Sequence, residues 1–81
     1  MRLDKYLKVS RLIKRRTLAN EACDGERVKL NGKTAKAGAE VKEGDTIEIR
    51  FGANTTKVEV LAVTEHVSKE GSRELFRMLD D

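Results

Sequence analysis

The chain has 81 residues, enough for one domain with a thin core, and its single Cys and single His exclude an intramolecular disulfide and a cysteine metal cluster. It contains no Trp, one Tyr and two Phe, so it lacks the aromatic side chains that line deep ligand cavities, and we expect no cofactor and no metal. The net charge of +3 is unevenly distributed, because residues 1–16 carry seven basic side chains and one acidic one, and such a segment attracts polyanions.

A short amphipathic helix is predicted near the start of the sequence. Leu3 and Leu7 stand four residues apart, which places them on one face of a helix over residues 3–9. Lys5 and Lys8 then fall on the polar side of this helix, where they face solvent or a ligand.

A second helix is predicted over residues 15–24, with Gly25 as its C-terminal cap. Its apolar residues are Leu18, Ala19, Ala22 and Cys23. We expect Cys23 to be a small buried thiol.

Arg15 and Arg16 fall in the first turn of this second helix, where the helix dipole disfavours cations. Two interpretations stay open: either these arginines are solvated, or an anion bound at this end of the helix offsets their charge.

Alternation of apolar and polar residues predicts a small antiparallel sheet in the second half of the chain. Val28 and Leu30 flank Lys29, as in a strand with one buried face. The next two residues, Asn31-Gly32, are typical of a type I′ hairpin turn, so a return strand is predicted to follow.

A later turn at residues 43–45 (Glu-Gly-Asp) precedes two more predicted strands. Their apolar residues are Ile47, Ile49 and Phe51 in the first strand and Val58, Val60 and Ala62 in the second. A polar link over residues 52–56 is expected between them. On their spacing, both Tyr6 and Phe51 are predicted to lie in the core and not to form an exposed stacking platform for bases.

The end of the chain is predicted to be an extension of the domain. The apolar residues at helical spacing here are Leu75, Phe76 and Leu79. Residues 68–81 therefore form either a short amphipathic helix or a frayed tail. We expect the domain to span residues 1–64, with a core motif over 1–52 and a C-terminal extension over 65–81. His66 is expected to be a surface residue and not a ligand.

The sequence shows no arrangement of residues typical of an active site. Catalysis requires a nucleophile, a base and a group that orients them, whereas the carboxylates here mostly lie beside turns or at exposed strand positions. There is no glycine-rich phosphate loop, no His-Glu-x-x-His metal motif and no calcium-loop spacing. We therefore expect that the protein is not an enzyme.

Several motifs occur in the order found in one known family. They are Arg2-Leu3-Asp4-Lys5-Tyr6-Leu7, Ser10-Arg11, Lys14-Arg15-Arg16, Gly25-Glu26-Arg27-Val28, Val28 to Gly32, Lys36 and Gly44-Asp45. Over about residues 1–52 they resemble the RNA-binding domain named after ribosomal small-subunit protein S4. The resemblance implies an α+β fold of the αL type, with two N-terminal helices packed on a small twisted antiparallel sheet of three to five strands.

Within this family, the run RLDKYLKVSRLIKRRTLA over residues 2–19 is similar to a subfamily that contains the fifteen-kilodalton heat-shock protein and a shorter ribosome quality-control protein. The similarity implies binding to obstructed large (50S) ribosomal subunits through 23S rRNA and peptidyl-tRNA. It also implies that the protein stabilises this tRNA while a partner that recruits alanyl-tRNA extends the stalled chain with alanines. We expect a ribosome-associated cytoplasmic monomer.

The resemblance also implies which residues contact RNA. They are Arg2, Lys5, Ser10, Arg11, Lys14, Arg15, Arg16 and Lys36, with Lys8 and Lys33 as outer phosphate contacts. Folded RNA is recognised mainly through its shape, its phosphates and its 2′-hydroxyls, and the forked donors of arginine suit phosphate. Many family members have a serine where this chain has Lys14, so the usual N-terminal cap of the second helix is missing here.

Asp4 is the one acidic residue of the basic segment, and it allows two interpretations. In the structural one, it offsets local repulsion or pairs with Lys8, four residues later. In the functional one, it orients Arg2 or Lys5 toward RNA or contacts a basic partner.

Other functions stay open on the sequence alone. The basic helices suit a general rRNA-binding assembly or heat-shock factor, or an adaptor that docks on an acidic protein. Association with a membrane surface needs a wide apolar helix face for lipid, but here the sheet requires that face. Charges interrupt the apolar residues every two or three positions, so neither a signal peptide nor a membrane span is predicted.

Overall fold

The computed structural model describes residues 1–64 and 75–79. The predictions for His66 and for the rest of residues 65–74 lie outside the described residues, and the domain boundary at residue 64 stays a prediction. Within the described ranges, no helix is long and apolar enough to cross a membrane.

Two helices occupy the N-terminal part of the chain. Helix α1 spans Leu3–Val9 and helix α2 spans Arg16–Asp24. Both predicted helices are confirmed. Helix α2 begins one residue later than predicted, because Arg15 has extended backbone angles (φ −128°, ψ 142°) and serves as the N-cap.

In the part of the chain that the structure describes, five strands form one antiparallel sheet. They are β1 (Val28–Leu30), β2 (Lys33–Thr34), β3 (Thr46–Phe51), β4 (Asn54–Val60) and β5 (Phe76–Met78). Their order across the sheet is β2-β1-β3-β4-β5, and each neighbouring pair is antiparallel. The predicted α+β fold, with two helices on a small sheet, is confirmed.

The hydrophobic core lies between the helices and one face of the sheet. Its main residues are Leu3, Tyr6, Leu7, Ala19, Ala22 and Cys23 from the helices and Val28, Ile47, Ile49, Val58 and Val60 from the strands. Tyr6 is fully buried, as predicted, and burial raises the pKa of its hydroxyl.

Cys23 is confirmed as a buried thiol. Burial, together with the charges of Asp4 and Asp24, raises its pKa to about 11, so the thiol is protonated at neutral pH.

Asn31 and Gly32 form the predicted hairpin turn between β1 and β2. Both residues have positive φ, 54° and 83°, as a type I′ turn requires. The side-chain oxygen of Asn31 accepts a hydrogen bond from the Thr46 N–H at 2.9 Å, and its amide donates to Asp45 at 3.1 Å. The turn therefore also fixes the start of β3.

The hairpin between β3 and β4 corrects two predictions. Phe51 pairs with Asn54, so residues 54–56 belong to β4 and do not form the predicted polar link. Their side chains are polar, but backbone hydrogen bonds to β3 stabilise the strand. Phe51 is 45% exposed and does not lie in the core, because it ends β3 beside the exposed Asn54. Strand β4 itself ends at Val60, before Ala62.

Neither alternative predicted for the C-terminal end, a short helix or a frayed tail, holds for residues 75–79, since Phe76–Met78 form the edge strand β5. The carbonyl oxygen of Leu75 accepts a hydrogen bond from the Tyr6 hydroxyl at 2.6 Å and another from the Leu61 N–H at 2.9 Å. These long-range bonds, together with pairing along β4, favour a strand over an isolated short helix.

We predict that Tyr6→Phe lowers the free energy of unfolding by about 1 kcal/mol, because the buried Leu75 carbonyl loses one donor. Thermal denaturation followed by circular dichroism should show a midpoint about 4–8 °C lower. The control is Phe51→Leu, at an exposed aromatic residue, which should change stability by less than about 0.5 kcal/mol. An unchanged midpoint for Tyr6→Phe would contradict a structural role for this bond.

Candidate nucleic-acid interface

The centre of the candidate site is the carboxylate of Asp4, which lies in the first turn of α1 and is 2% exposed. Its Oδ1 accepts hydrogen bonds from the Lys5 backbone N–H at 2.8 Å and from Arg2 Nε at 3.2 Å. Its Oδ2 accepts hydrogen bonds from Arg16 Nε and from Asn20 Nδ2, each at 3.4 Å. One carboxylate therefore joins the residue before α1 to the first turns of both helices.

Local backbone geometry explains how these groups meet. Arg2 has extended angles (φ −67°, ψ 146°) and precedes the helix, so its side chain reaches Asp4 two residues later. Arg16 and Asn20 are four residues apart and lie on the same face of α2. Because α1 and α2 pack against each other, that face meets Asp4.

Asp4 is held in its ionised form. Burial raises the pKa of its carboxyl, but hydrogen bonds from Asn20, the Lys5 N–H and Arg16 lower it more, so the pKa lies below its usual value. The side chains of Arg2 and Arg16 are still 55% and 49% exposed. Each guanidinium has five N–H donors, so both arginines keep donors for a second anion while Asp4 fixes their positions.

A cleft of about 460 Å³ opens beside Asp4. It is lined by Met1, Arg2, Lys5, Arg16, Gly38 and Glu40. The loop that forms its far wall is held to α1, because the N–H groups of Leu3 and Asp4 donate to the carbonyl oxygens of Ala39 and Ala37 at 2.7 and 3.2 Å. Three cations and one acid line the cleft, so it favours an anionic group such as a backbone phosphate.

Asp4 does not pair with Lys8, so the pairing offered as one form of the structural interpretation is wrong. Lys8 is exposed and makes no ion pair with any residue that the structure describes. The carboxylate contacts Arg2 and Arg16 instead.

The turn that follows α1 presents Arg11 in a left-handed backbone conformation, with φ of 64°. Ser10 is the C-cap of α1, and Arg11 occupies the next position, where glycine is most common. A side chain other than glycine costs about 1–2 kcal/mol in this conformation. Arg11 is exposed, so the fold gains little packing from it, and a contact outside the protein would account for its presence.

Ser10 is 2% exposed, although the sequence places it among the RNA contacts. Its hydroxyl donates to the Leu7 carbonyl oxygen at 3.2 Å, and its N–H donates to the Tyr6 carbonyl oxygen at 2.9 Å. In this structure Ser10 stabilises the turn that presents Arg11, and a direct contact with RNA stays a prediction.

The other candidate residues are exposed cations on separate segments. They are Lys8 on α1, Lys14 and Arg15 before α2, Lys33 on β2 and Lys36 in the loop after β2. The N-cap of α2 is Arg15 and not Lys14, and it makes no side-chain capping hydrogen bond. The structure thus gathers Arg2, Lys5 and Arg16 around one cleft, and it leaves the remaining cations along the surface.

Two residues of the site, Asn20 and Glu40, were not predicted. Asn20 donates a hydrogen bond to Asp4. Its position could have been predicted from the sequence, because it lies four residues after Arg16 on the same helix. Glu40 lines the cleft and forms an isolated bridge with Arg2. No local pattern marks Glu40, since its position depends on how a loop packs against a distant helix.

Comparison with known proteins shows the family of the chain. Residues 1–47 match the family described as the S4 domain. The chain belongs to the S4 domain family. The resemblance drawn from the RLDKYL motif and the basic segment is confirmed, and the helices that form the cleft lie within the matched part of the S4 domain.

Relatives of this S4 domain fall into the two groups that the sequence resembles. The RQC P-site tRNA stabilizing factor of Halalkalibacterium halodurans is 56% identical over 96% of this chain and 89% of its own length. The protein of the same name from Bacillus subtilis is 47% identical over 100% of this chain and 94% of its own length. The trimeric structure of Vibrio cholerae Heat Shock Protein 15 matches with a TM-score of 0.89 and 29% identity, over 98% of this chain and 81% of that chain.

We predict that Asp4→Asn destabilises the S4 domain by about 1.5–3 kcal/mol, because two arginines lose a charged acceptor. The folded-state pKa of Asp4 lies below its unfolded value, so its stabilising effect is complete above the unfolded pKa and is lost as the pH falls through the folded one. Urea denaturation between neutral pH and about pH 3 should therefore show a shallower loss of stability for Asp4→Asn than for the unmodified chain.

The matched control for this prediction is Asp24→Asn, which removes an exposed acid at the end of α2. It should leave the dependence of stability on pH close to that of the unmodified chain. Parallel curves for Asp4→Asn and the unmodified chain would show that Asp4 does not carry this effect.

Proposed function

We propose that this S4 domain binds structured RNA through a helical basic surface, defined as Arg2, Lys5, Lys8, Arg11, Lys14, Arg15 and Arg16, with Ser10, Lys33 and Lys36 as further contacts. The observation that carries the proposal is the buried Asp4 carboxylate, which holds Arg2 and Arg16 at one cleft. Guanidinium groups already fixed in position bind phosphate at a lower entropic cost than mobile side chains.

We further propose that the RNA belongs to an obstructed large ribosomal subunit. The domain would contact 23S rRNA and peptidyl-tRNA on the 50S particle and would stabilise the tRNA. It would thereby support C-terminal alanine tailing by the factor that recruits alanyl-tRNA. Support comes from relatives named for stabilising P-site tRNA, which cover nearly the whole chain. On this proposal, the protein works in the cytoplasm by binding and catalyses no reaction.

A second candidate is a general rRNA-binding factor for subunit assembly or the heat-shock response. Its support is the fold shared with Vibrio cholerae Heat Shock Protein 15. Both candidates use the same basic surface, since phosphate contacts dominate affinity in either case. They differ in the particle that is bound, so an experiment that identifies this particle separates the two candidates.

The experiment is affinity purification of the tagged protein from bacterial lysate, followed by identification of the RNA and protein that copurify. We expect 50S subunits that carry peptidyl-tRNA, and we expect Arg16→Ala to lose them, because it removes a cation of the cleft. Lys42→Ala is the matched control, since Lys42 is an exposed cation that lines neither the cleft nor the helical basic surface.

Three other results would point elsewhere. Recovery of 50S particles without peptidyl-tRNA would favour the assembly or heat-shock factor. A protein partner that stays bound after ribonuclease treatment would favour an adaptor. Equal recovery of RNA by Arg16→Ala and Lys42→Ala would contradict the role assigned to the cleft.

We predict that Arg11→Gly weakens RNA binding without destabilising the fold. Glycine removes a left-handed strain of about 1–2 kcal/mol, so thermal denaturation should show an unchanged or higher midpoint. Loss of the guanidinium should weaken binding of bacterial tRNA, measured by fluorescence anisotropy, and should reduce the salt dependence of binding by about one phosphate contact. A fall in both stability and affinity would show that Arg11 is needed mainly for the fold.

A further inference from the structure

The face of the sheet opposite the helices carries a separate group of charged residues. Lys29, Glu48 and Lys57 are in register across β1, β3 and β4, so their side chains share this outer face. Arg50 and Thr55 form the next row on the same face. The helices and the helical basic surface lie on the other side of the sheet, beyond the core residues such as Ile47 and Ile49.

A cleft of about 220 Å³ lies at this outer face and is called the outer cleft. It is lined by Glu26, Arg27, Lys29, Glu48, Arg50 and Thr55. The segment before β1 is tied to β3, because the Arg50 N–H donates to the Arg27 carbonyl oxygen at 2.9 Å. The charged side chains of the outer cleft therefore come from elements whose backbones are fixed relative to each other.

The cations that line the outer cleft take no part in the ion pairs of this face. Lys57 lies 3.6 Å from Glu48, so the charge of this acid is already compensated. Arg27, Lys29 and Arg50 make no ion pair with any residue in the described ranges, and all three are exposed. Three cations and two acids line the outer cleft, and one of the acids, Glu48, already pairs with Lys57. The remaining excess of positive charge favours an anion with several oxygen atoms.

Glu26 occupies a strained position at the edge of the outer cleft. It follows Gly25, the C-cap of α2, and has φ of 62°, in the left-handed region where glycine is favoured. Its carboxylate makes no hydrogen bond or ion pair with a described residue. The chain therefore keeps a hydrogen-bond acceptor beside three cations at a backbone position that disfavours any side chain.

The chemistry of the outer cleft fits RNA better than a protein partner. Among the described residues its lining contains no apolar or aromatic side chain, so it lacks the aromatic anchors that are common at the centre of protein interfaces. A ribose-phosphate unit offers both groups that the cleft can bind, since the phosphate is an anion and the 2′-hydroxyl is a donor.

We infer that the outer cleft is a second RNA-binding site for one ribose-phosphate unit. The phosphate faces Arg27, Lys29 and Arg50, and the 2′-hydroxyl donates to Glu26. The inference rests on the proposed function, because it assigns a second contact to a protein already proposed to bind RNA. Two RNA segments would then lie on opposite sides of the sheet, one at the helical basic surface and one at the outer cleft.

The test uses the whole chain labelled with ¹⁵N, titrated with a short RNA hairpin while the shifts of the backbone amides are followed by NMR. We expect two groups of shifted amides, one in α1 and α2 and one at residues 26–29, 50 and 55. Arg50→Gln should remove the second group and keep the first, and Arg16→Gln should do the reverse. Lys42→Gln, which removes one exposed cation outside both clefts, should keep both groups.

Affinity gives an independent reading of the same variants. Arg50→Gln should reduce the slope of log affinity against log salt by about one, whereas Lys42→Gln should leave it unchanged. A DNA hairpin of the same sequence should shift the amides of the outer cleft less than RNA does, because it lacks the 2′-hydroxyl. Equal shifts with RNA and DNA would overturn the assignment of Glu26.

Different spectra would overturn the outer cleft and the proposed function. Shifts confined to α1 and α2 would overturn the outer cleft as an RNA site and would leave the proposed function intact. The absence of RNA-induced shifts at both surfaces would overturn both. Every variant spectrum also reports on folding, since a folded chain keeps its dispersed amide signals.

Discussion

The buried carboxylate of Asp4 is the constraint on which the cationic surface depends. Desolvation of a carboxylate costs several kcal/mol, and that cost is offset only when its hydrogen bonds form. Arg2, Arg16 and Asn20 are therefore held around Asp4 whenever the domain is folded. These bonds connect the start of α1 to α2 across the turn between them. A charge in the interior thus sets the positions of two opposite charges at the surface.

Local patterns were sufficient to predict the elements that local interactions form. The spacing of Leu3 and Leu7 predicted α1, and Asn31-Gly32 predicted a type I′ turn that the backbone angles confirm. The errors arose where a distant partner decides the conformation. Helical spacing near the C-terminal end was misleading because β4 offers a ladder there, and Phe51 is exposed because its neighbour across the sheet is Asn54.

The composition of the candidate site was easier to predict than its geometry. Charge counting located the basic segment, and the S4 resemblance predicted which of its residues contact RNA. Neither could show that Asp4 faces α2 and not Lys8, because this depends on how two helices pack. Both helices are also followed by a charged residue in a left-handed conformation, Arg11 after α1 and Glu26 after α2. Sequence alone gave no sign of that strain, since glycine is the residue expected at such positions.

The hydrogen bond from Tyr6 to Leu75 joins residues that are 69 positions apart. During synthesis, the hydroxyl in α1 can meet its acceptor only after all the residues between Tyr6 and Leu75 have been made. Contacts between residues so far apart close large loops and slow folding relative to local ones. We therefore expect α1 to complete its packing late in folding, after the strands beside Leu75 have formed.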